Sequence, residues 1–277
     1  MTTPMTERGV VEVRDVSMQF GGLRALNHVS FTIAPGVVTA LIGPNGAGKT
    51  TVINVVSGTL KPTLGAVLVD DADITGQAAE RRTQIARTFQ ISQVFKGLTV
   101  VENVMVALQA KEGYGIARAL LRTPGVRRAE REARKTALGL LDRVGIADLA
   151  DRSAATLPLG QERLLEVARA LAIQPQVILL DEVASGLTPS DRVELAALVR
   201  SLGQDGYSVL VVEHNMRFVQ DTSDALVVLN FGELLYTGSM ADGLSNKDVM
   251  DAYLGHAPST PPPGAQTNEV NSNAGLS

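Results

Sequence analysis

The run Gly43-Pro44-Asn45-Gly46-Ala47-Gly48-Lys49-Thr50 constrains this chain more than any other stretch of it. It fits the pattern G-x-x-x-x-G-K-[ST], and it stands in the setting that gives the pattern a physical meaning. The apolar run Val37 to Ile42 precedes it, and a helix predicted from about Gly48 to Ser57 comes after it. Glycines here let successive backbone N–H groups curl around an anion that side chains would hold off. The N-terminus of the following helix points its positive end at the same spot. Lys49 is expected to reach the β- and γ-phosphates of a nucleotide, and the Thr50 hydroxyl to ligate Mg2+. A chain with 26 glycines can produce such a string by chance, but the strand before it and the helix after it argue against that.

Val177-Ile178-Leu179-Leu180-Asp181-Glu182 is the second informative run. A buried apolar strand here delivers two carboxylates at its C-terminal end, where open α/β sheets bind their ligands. Asp181 is expected in the Mg2+ shell, and Glu182 is placed to polarise an attacking water. Alone, such a run reads equally well as a strand entering solvent; beside a phosphate loop the chemical reading prevails. His214 comes after a further apolar strand, Tyr207 to Val212, and then Glu213. A lone histidine there would ordinarily cap a strand-to-helix turn. As a third polar group at the same sheet edge, it is a candidate γ-phosphate contact.

Around these runs the chain reads as an α/β protein. Val10 to Phe20 and Leu26 to Ile33 are predicted strands about a Gly21-Gly22 turn, and Val67 to Val69 is a further strand, giving an antiparallel β region beside an α/β core. From roughly Thr99 to Ala172 the pattern is mostly helical. Leu164, Leu165, Val167, Ala168, Leu171 and Ala172 share one helical face. Strand and helix then alternate: Val177 to Leu180, Ser190 to Leu202, Tyr207 to Val212, His214 to Asp221. That alternation implies parallel strands with crossover helices. Residues 1–9 are expected to be flexible, 10–255 to form the domain with a helical part at about 99–172, and the proline-bearing tail 256–277 to be disordered.

Composition excludes several alternatives. Net charge is -4, aromatics are 4% and tryptophan is absent, so neither a basic nor a base-stacking footprint for nucleic acid is present. With no cysteine there is no disulfide, thiolate metal site or cysteine nucleophile. No apolar run approaches the ~20 residues a spanning helix needs. Against the acidic background, Lys111 to Lys135 carries eight basic residues and three acids. That segment is either a solvated helical face or a surface for anionic headgroups and the cytoplasmic loops of a membrane partner.

The order of motifs resembles the ABC ATPase family. It runs from the phosphate loop through Gln90, the stretch Leu157-Pro158-Leu159-Gly160-Gln161-Glu162-Arg163, Asp181-Glu182 and Ser185-Gly186-Leu187-Thr188 to Glu213-His214. The resemblance spans about Val10 to Gly255. It implies a phosphate-loop core of the RecA-like kind, an antiparallel β subdomain and a helical subdomain bearing the signature motif. It implies that Phe20 stacks on adenine and that the loop from Gly43 through Thr51 binds ATP with Mg2+. Gln90 would touch the metal and sense the membrane partner. Gly160 and Gln161 would close over the nucleotide of a second subunit, Glu182 would be the catalytic base and His214 the switch histidine. The signature departs from Leu-Ser-Gly-Gly-Gln: Pro158 stands for the serine and Leu159 for the first glycine, removing a hydroxyl and an N–H. Val183 replaces a frequent proline.

Three further stretches narrow the resemblance: Arg87-Thr88-Phe89-Gln90, the run from Val94 to Val104, and the insertion-like Leu120 to Glu130. With Ala252-Tyr253-Leu254-Gly255 they are similar to the ATP-binding subunits of branched-chain amino acid importers. The partners so implied are transmembrane permease subunits, a second ATPase subunit (a copy or a paralogue) and, indirectly, an extracytoplasmic substrate-binding protein. The place implied is the cytoplasmic face of the inner membrane. Urea or amide uptake, lipopolysaccharide export and a soluble non-transport ABC ATPase are the alternatives.

Overall fold

The computed structural model describes residues 9–88, 94–112 and 124–254. Among them two sheets lie side by side. The first is antiparallel, in the order β2-β1-β4-β5, from β1 (Val11–Phe20), β2 (Leu23–Ile33), β4 (Leu64–Val69) and β5 (Ala72–Asp73). The second has the order β10-β9-β3-β8-β7-β6, from β3 (Val38–Ile42), β6 (Ile85–Arg87), β7 (Val177–Asp181), β8 (Ser208–Val212), β9 (Ala225–Asn230) and β10 (Glu233–Ser239). Its strands run parallel except for the β9–β10 hairpin.

The strands β3, β7 and β8 are buried along their whole lengths, which is why they read as unbroken apolar runs. Their alternate side chains serve different layers. Val177 and Leu179 join the core shared with the antiparallel sheet and with α1 (Lys49–Ser57). Ile178 and Leu180 join the core made with the helices. Burial of each such side chain stabilises by about 1.5–3 kcal/mol. Helices α2 (Val100–Glu112), α3 (Pro124–Arg143) and α4 (Leu159–Ala172) pack on one another, and α4 also meets α5 (Pro189–Gln204).

The structure shifts several boundaries. β2 begins at Leu23 and β4 at Leu64, earlier than the apolar pattern shows, because their ladders with β1 run on through Arg24 opposite Gln19 and through Leu64 opposite Ser17. The helix expected from His214 starts at Met216 and ends at Thr222 (α6), since the Asn215 side chain accepts the Phe218 N–H at 3.0 Å and caps it. The pair β9 and β10 and the closing helices α7 (Met240–Ser245) and α8 (Lys247–Leu254) were not expected. Residues 256–277, expected to be disordered, lie outside the described residues.

Register decides the rest. Leu41 aligns with Val212, and Val212 with Asp181. Three parallel strands therefore end at one level. The residues next along the chain, Gly43, Glu182 and Glu213-His214, are delivered together to one edge of the sheet.

Candidate functional site

The phosphate loop is closed by its own backbone. Gly43 has φ 152°, and a Cβ there would stand 2.2 Å from the Leu229 carbonyl oxygen. Gly48 has φ 100° and presses on β2, so a Cβ would meet Leu26 Cδ2 at 2.7 Å and the Ala25 oxygen at 2.8 Å. Only glycine fits both places. Gly48 is also the N-cap of α1, and no side chain bonds the first N–H groups of that helix. They stay available to an anion. Ala47 is buried while Asn45, Gly46 and Thr50 are exposed, and Pro44 accepts the Ala47 N–H at 3.1 Å. The Lys49 ammonium folds over the loop and donates to the Gly43 and Pro44 carbonyls at 2.7 and 2.9 Å. Burial lowers its pKa, against which the nearby Glu182 carboxylate acts.

The carboxylates stand on the neighbouring strand. Asp181 is buried at the end of β7. Glu182 comes next with φ 49°, a left-handed backbone that a residue with a Cβ seldom adopts, and its N–H donates to the Val212 carbonyl at 2.9 Å. Glu213, named in the sequence only beside His214 and given no role of its own, ties this edge together. It is buried, accepts the Ala184 N–H at 2.8 Å and the His214 N–H at 3.4 Å, and its pKa is pushed up by that burial. His214 itself is exposed. Lys49, Asp181, Glu182, Glu213 and His214 thus share one edge. Among the described residues no set of three or more His, Cys, Asp or Glu side chains could hold a metal on its own. A hydroxyl and one carboxylate supplemented by phosphate oxygens and water is the oxygen set Mg2+ accepts, so Thr50 and Asp181 fit that ion.

Other expected residues sit apart. Phe20 ends β1 across the two-glycine turn from Leu23 and is 44% exposed, as a stacking platform must be. Gly160 and Gln161 open α4, whose N-cap is Pro158 with no side-chain bond. Their neighbour is α5: a Cβ on Gly160 would stand 2.6 Å from Asp191 Cγ. The Gln161 side-chain oxygen is buried without a hydrogen-bond partner. Gln90 lies outside the described residues. Thr51 is half-buried in the first turn of α1. Of the basic segment, Arg128, Arg131 and Lys135 are exposed on α3, and Arg134 pairs with Asp151 at 2.7 Å.

Two arginines around α1 were given no role by the sequence, although Arg87 stands in the stretch that ends at Gln90. Arg82 is 1% exposed and donates to the carbonyls of Val55, Val56, Gln77 and Thr75. Arg87 joins Asn54 and Ser57 of α1 to Asp181. A buried arginine leaves no periodic trace.

Comparison with known proteins gives the same picture. The family profile described as ABC transporter matches residues 26–185. The chain is 41% identical, over 253 residues, to the high-affinity branched-chain amino acid transport ATP-binding protein BraF of Pseudomonas aeruginosa, covering 90% of this chain and 99% of that protein. It is 40% identical over 251 residues to the corresponding ATP-binding protein LivG of Escherichia coli, covering 90% of this chain and 98% of the other. Among solved structures, the ADP conformation of an ATP-binding cassette of an ABC transporter superposes with a TM-score of 0.77 at 31% identity, over 89% of this chain and 99% of that one.

Proposed function

Because this chain belongs to the ABC transporter family, we propose that it is the ATP-hydrolysing subunit of an importer for branched-chain or related amino acids and powers a separate permease. The observation that carries the ATPase part is the common level of Gly43–Thr50, Asp181–Glu182 and His214 at one sheet edge. Similarity to BraF and LivG along nearly their whole lengths supports the amino-acid part.

In this reading the amides of residues 43–50 and the uncapped start of α1 take the phosphates, and Lys49 turns from the loop carbonyls to the β- and γ-phosphates. Thr50 and Asp181 would hold Mg2+ together with Gln90, and the ion would supply charge neutralisation at the phosphates. Glu182 takes the proton of the attacking water, and His214 contacts the γ-phosphate. Phe20 stacks on the adenine. Gly160 and Gln161 serve the nucleotide of a second subunit, a copy or a paralogue, offering the backbone N–H groups at the start of α4 where Pro158 has no hydroxyl to give. Residues 10–255 form this ATPase domain, with 99–172 as its helical part.

The chain works at the cytoplasmic face of the membrane, delivering force to the permease. Among the described residues no helix is long and apolar enough to cross a membrane. A cleft of about 330 Å³ lined by Arg87, Thr88, Phe95, Val106 and Arg169 among others suits a permease segment. An extracytoplasmic binding protein selects the substrate upstream.

The test is co-purification with a candidate permease and an ATPase assay in membranes. Stimulation of hydrolysis by a binding protein loaded with leucine, isoleucine or valine is expected. Stimulation only by urea, an amide or another solute would transfer the chain to a different import system.

A further inference from the structure

We infer that Arg87 is a positioning residue for the magnesium site, a clamp that fixes the Asp181 carboxylate against the helix carrying Thr50. The inference rests on the MgATP reading above and adds to it a residue outside the nucleotide motifs.

Arg87 ends the edge strand β6 and pairs with Leu179, two residues before Asp181. Its guanidinium reaches in two directions. Nη2 donates to Asp181 Oδ2 at 2.9 Å, while Nη1 donates to Asn54 Oδ1 at 2.7 Å and Ser57 Oγ at 3.2 Å. Asn54 and Ser57 lie toward the C-terminal end of α1, whose first turn contains Thr50. One planar group therefore spans the two elements that must present oxygens to the same ion.

Both side chains of the pair are only about a tenth exposed, 10% for Arg87 and 9% for Asp181. Desolvating two charges is costly, and a buried pair is weak support for stability in general, so its use is better sought in geometry. Arg82 already satisfies the terminal carbonyls of α1, so Arg87 is not needed to cap the helix. What Arg87 contacts through these bonds is side chains. It takes one carboxylate oxygen of Asp181, and the other, Oδ1, accepts no hydrogen bond from any described residue. That leaves Oδ1 for the ion or a water bound to it. A lysine could supply the charge but not the fork, since its single ammonium cannot span Asp181 and α1 in a fixed plane.

Groups that orient a metal ligand change metal affinity by about 10- to 100-fold when removed. The experiment compares wild type, Arg87→Gln and Arg87→Lys in two measurements: ATP affinity in EDTA by calorimetry, and Mn2+ affinity of the ATP-loaded protein by electron paramagnetic resonance. Arg87→Gln is expected to keep metal-free ATP affinity within about twofold and to lose about 10-fold or more in Mn2+ affinity, with Arg87→Lys between the two. If Arg87→Gln does not fold, the double variant Asn54→Ala with Ser57→Ala, which cuts both bonds of the clamp to α1 and keeps the charge pair, is expected to weaken Mn2+ binding alone. Equal Mn2+ affinity in folded variant and wild type would overturn the inference. So would parallel losses of ATP and Mn2+ affinity, the pattern of a merely structural residue. Failure of the wild-type protein to bind ATP at all would instead overturn the nucleotide reading.

Discussion

At Glu182 the backbone is held at φ 49°, a conformation that costs a residue bearing a Cβ about 1 kcal/mol or more. The surrounding bonds impose it: its N–H is fixed to Val212, and its carbonyl accepts the Ser185 N–H at 3.2 Å. Strain of this kind gathers where a side chain must be aimed. Beside it, Glu213 is the residue with a measurable pH signature. Burial raises its pKa, so the native protein holds that proton more tightly than the unfolded chain does. Stability from this group is then lost as pH rises from the ordinary glutamate value of 4.5 through the raised one. Glu213→Gln keeps an acceptor for the Ala184 N–H and carries no charge. Its Tm should match or exceed that of wild type near neutral pH, and the advantage should shrink as pH falls to about 4. A deficit at neutral pH that grows with alkalinity would contradict the assignment.

Elements are held by residues that periodicity does not reveal. The phosphate-loop helix α1 ends at Gly58, in the left-handed conformation, directly against Arg82: a Cβ on Gly58 would meet Arg82 Nε at 2.5 Å. Arg82→Met fills similar space but leaves buried carbonyls of Val55 and Val56 without donors, at about 1–3 kcal/mol each. Thermal unfolding should shift down by on the order of 5–10 °C; a shift under about 1 °C would mean that water replaces the arginine. The strands β3, β7 and β8, the helix after the phosphate loop and the helical stretch were all legible in the sequence, because full burial writes itself as apolar runs and helical stripes. The loop glycines were legible for the same kind of reason, since each has a conformational or spatial requirement. By contrast β9 and β10 went unread: β10 alternates half-buried with exposed positions and joins β9 through Phe231-Gly232, without the common Asn-Gly turn. The functional edge was legible as three separate strand ends, but their common level is a matter of register, which sequence does not state. The contacts of Arg82, Arg87 and Glu213 were not legible, even where the residue stood in a recognised stretch, because a single buried charge has no periodic pattern.

On the scale of the molecule, the start of α4 faces α5 and the helical layer, whereas α1 rests on β2, β6 and β7. On the reading proposed above, Gly160 and Gln161 at that start serve the phosphates of a second subunit. The Gln161 side-chain oxygen there is buried and has no hydrogen-bond partner. Glu182→Gln should therefore bind MgATP, slow hydrolysis by about 10²- to 10⁴-fold and accumulate as an ATP-dependent dimer in sedimentation velocity. Full hydrolytic activity in that variant would remove Glu182 as the base. The claim beneath all of this is that the loop from Gly43 to Thr50 holds a nucleotide's phosphates. Calorimetric titration of the purified chain with MgATP tests it most directly. Saturable binding at one site per chain, weakened about 10- to 100-fold by Lys49→Ala through loss of a charge-assisted hydrogen bond, is the predicted result. No heat of binding from a folded wild-type protein, or equal affinity in the Lys49→Ala variant, would contradict it.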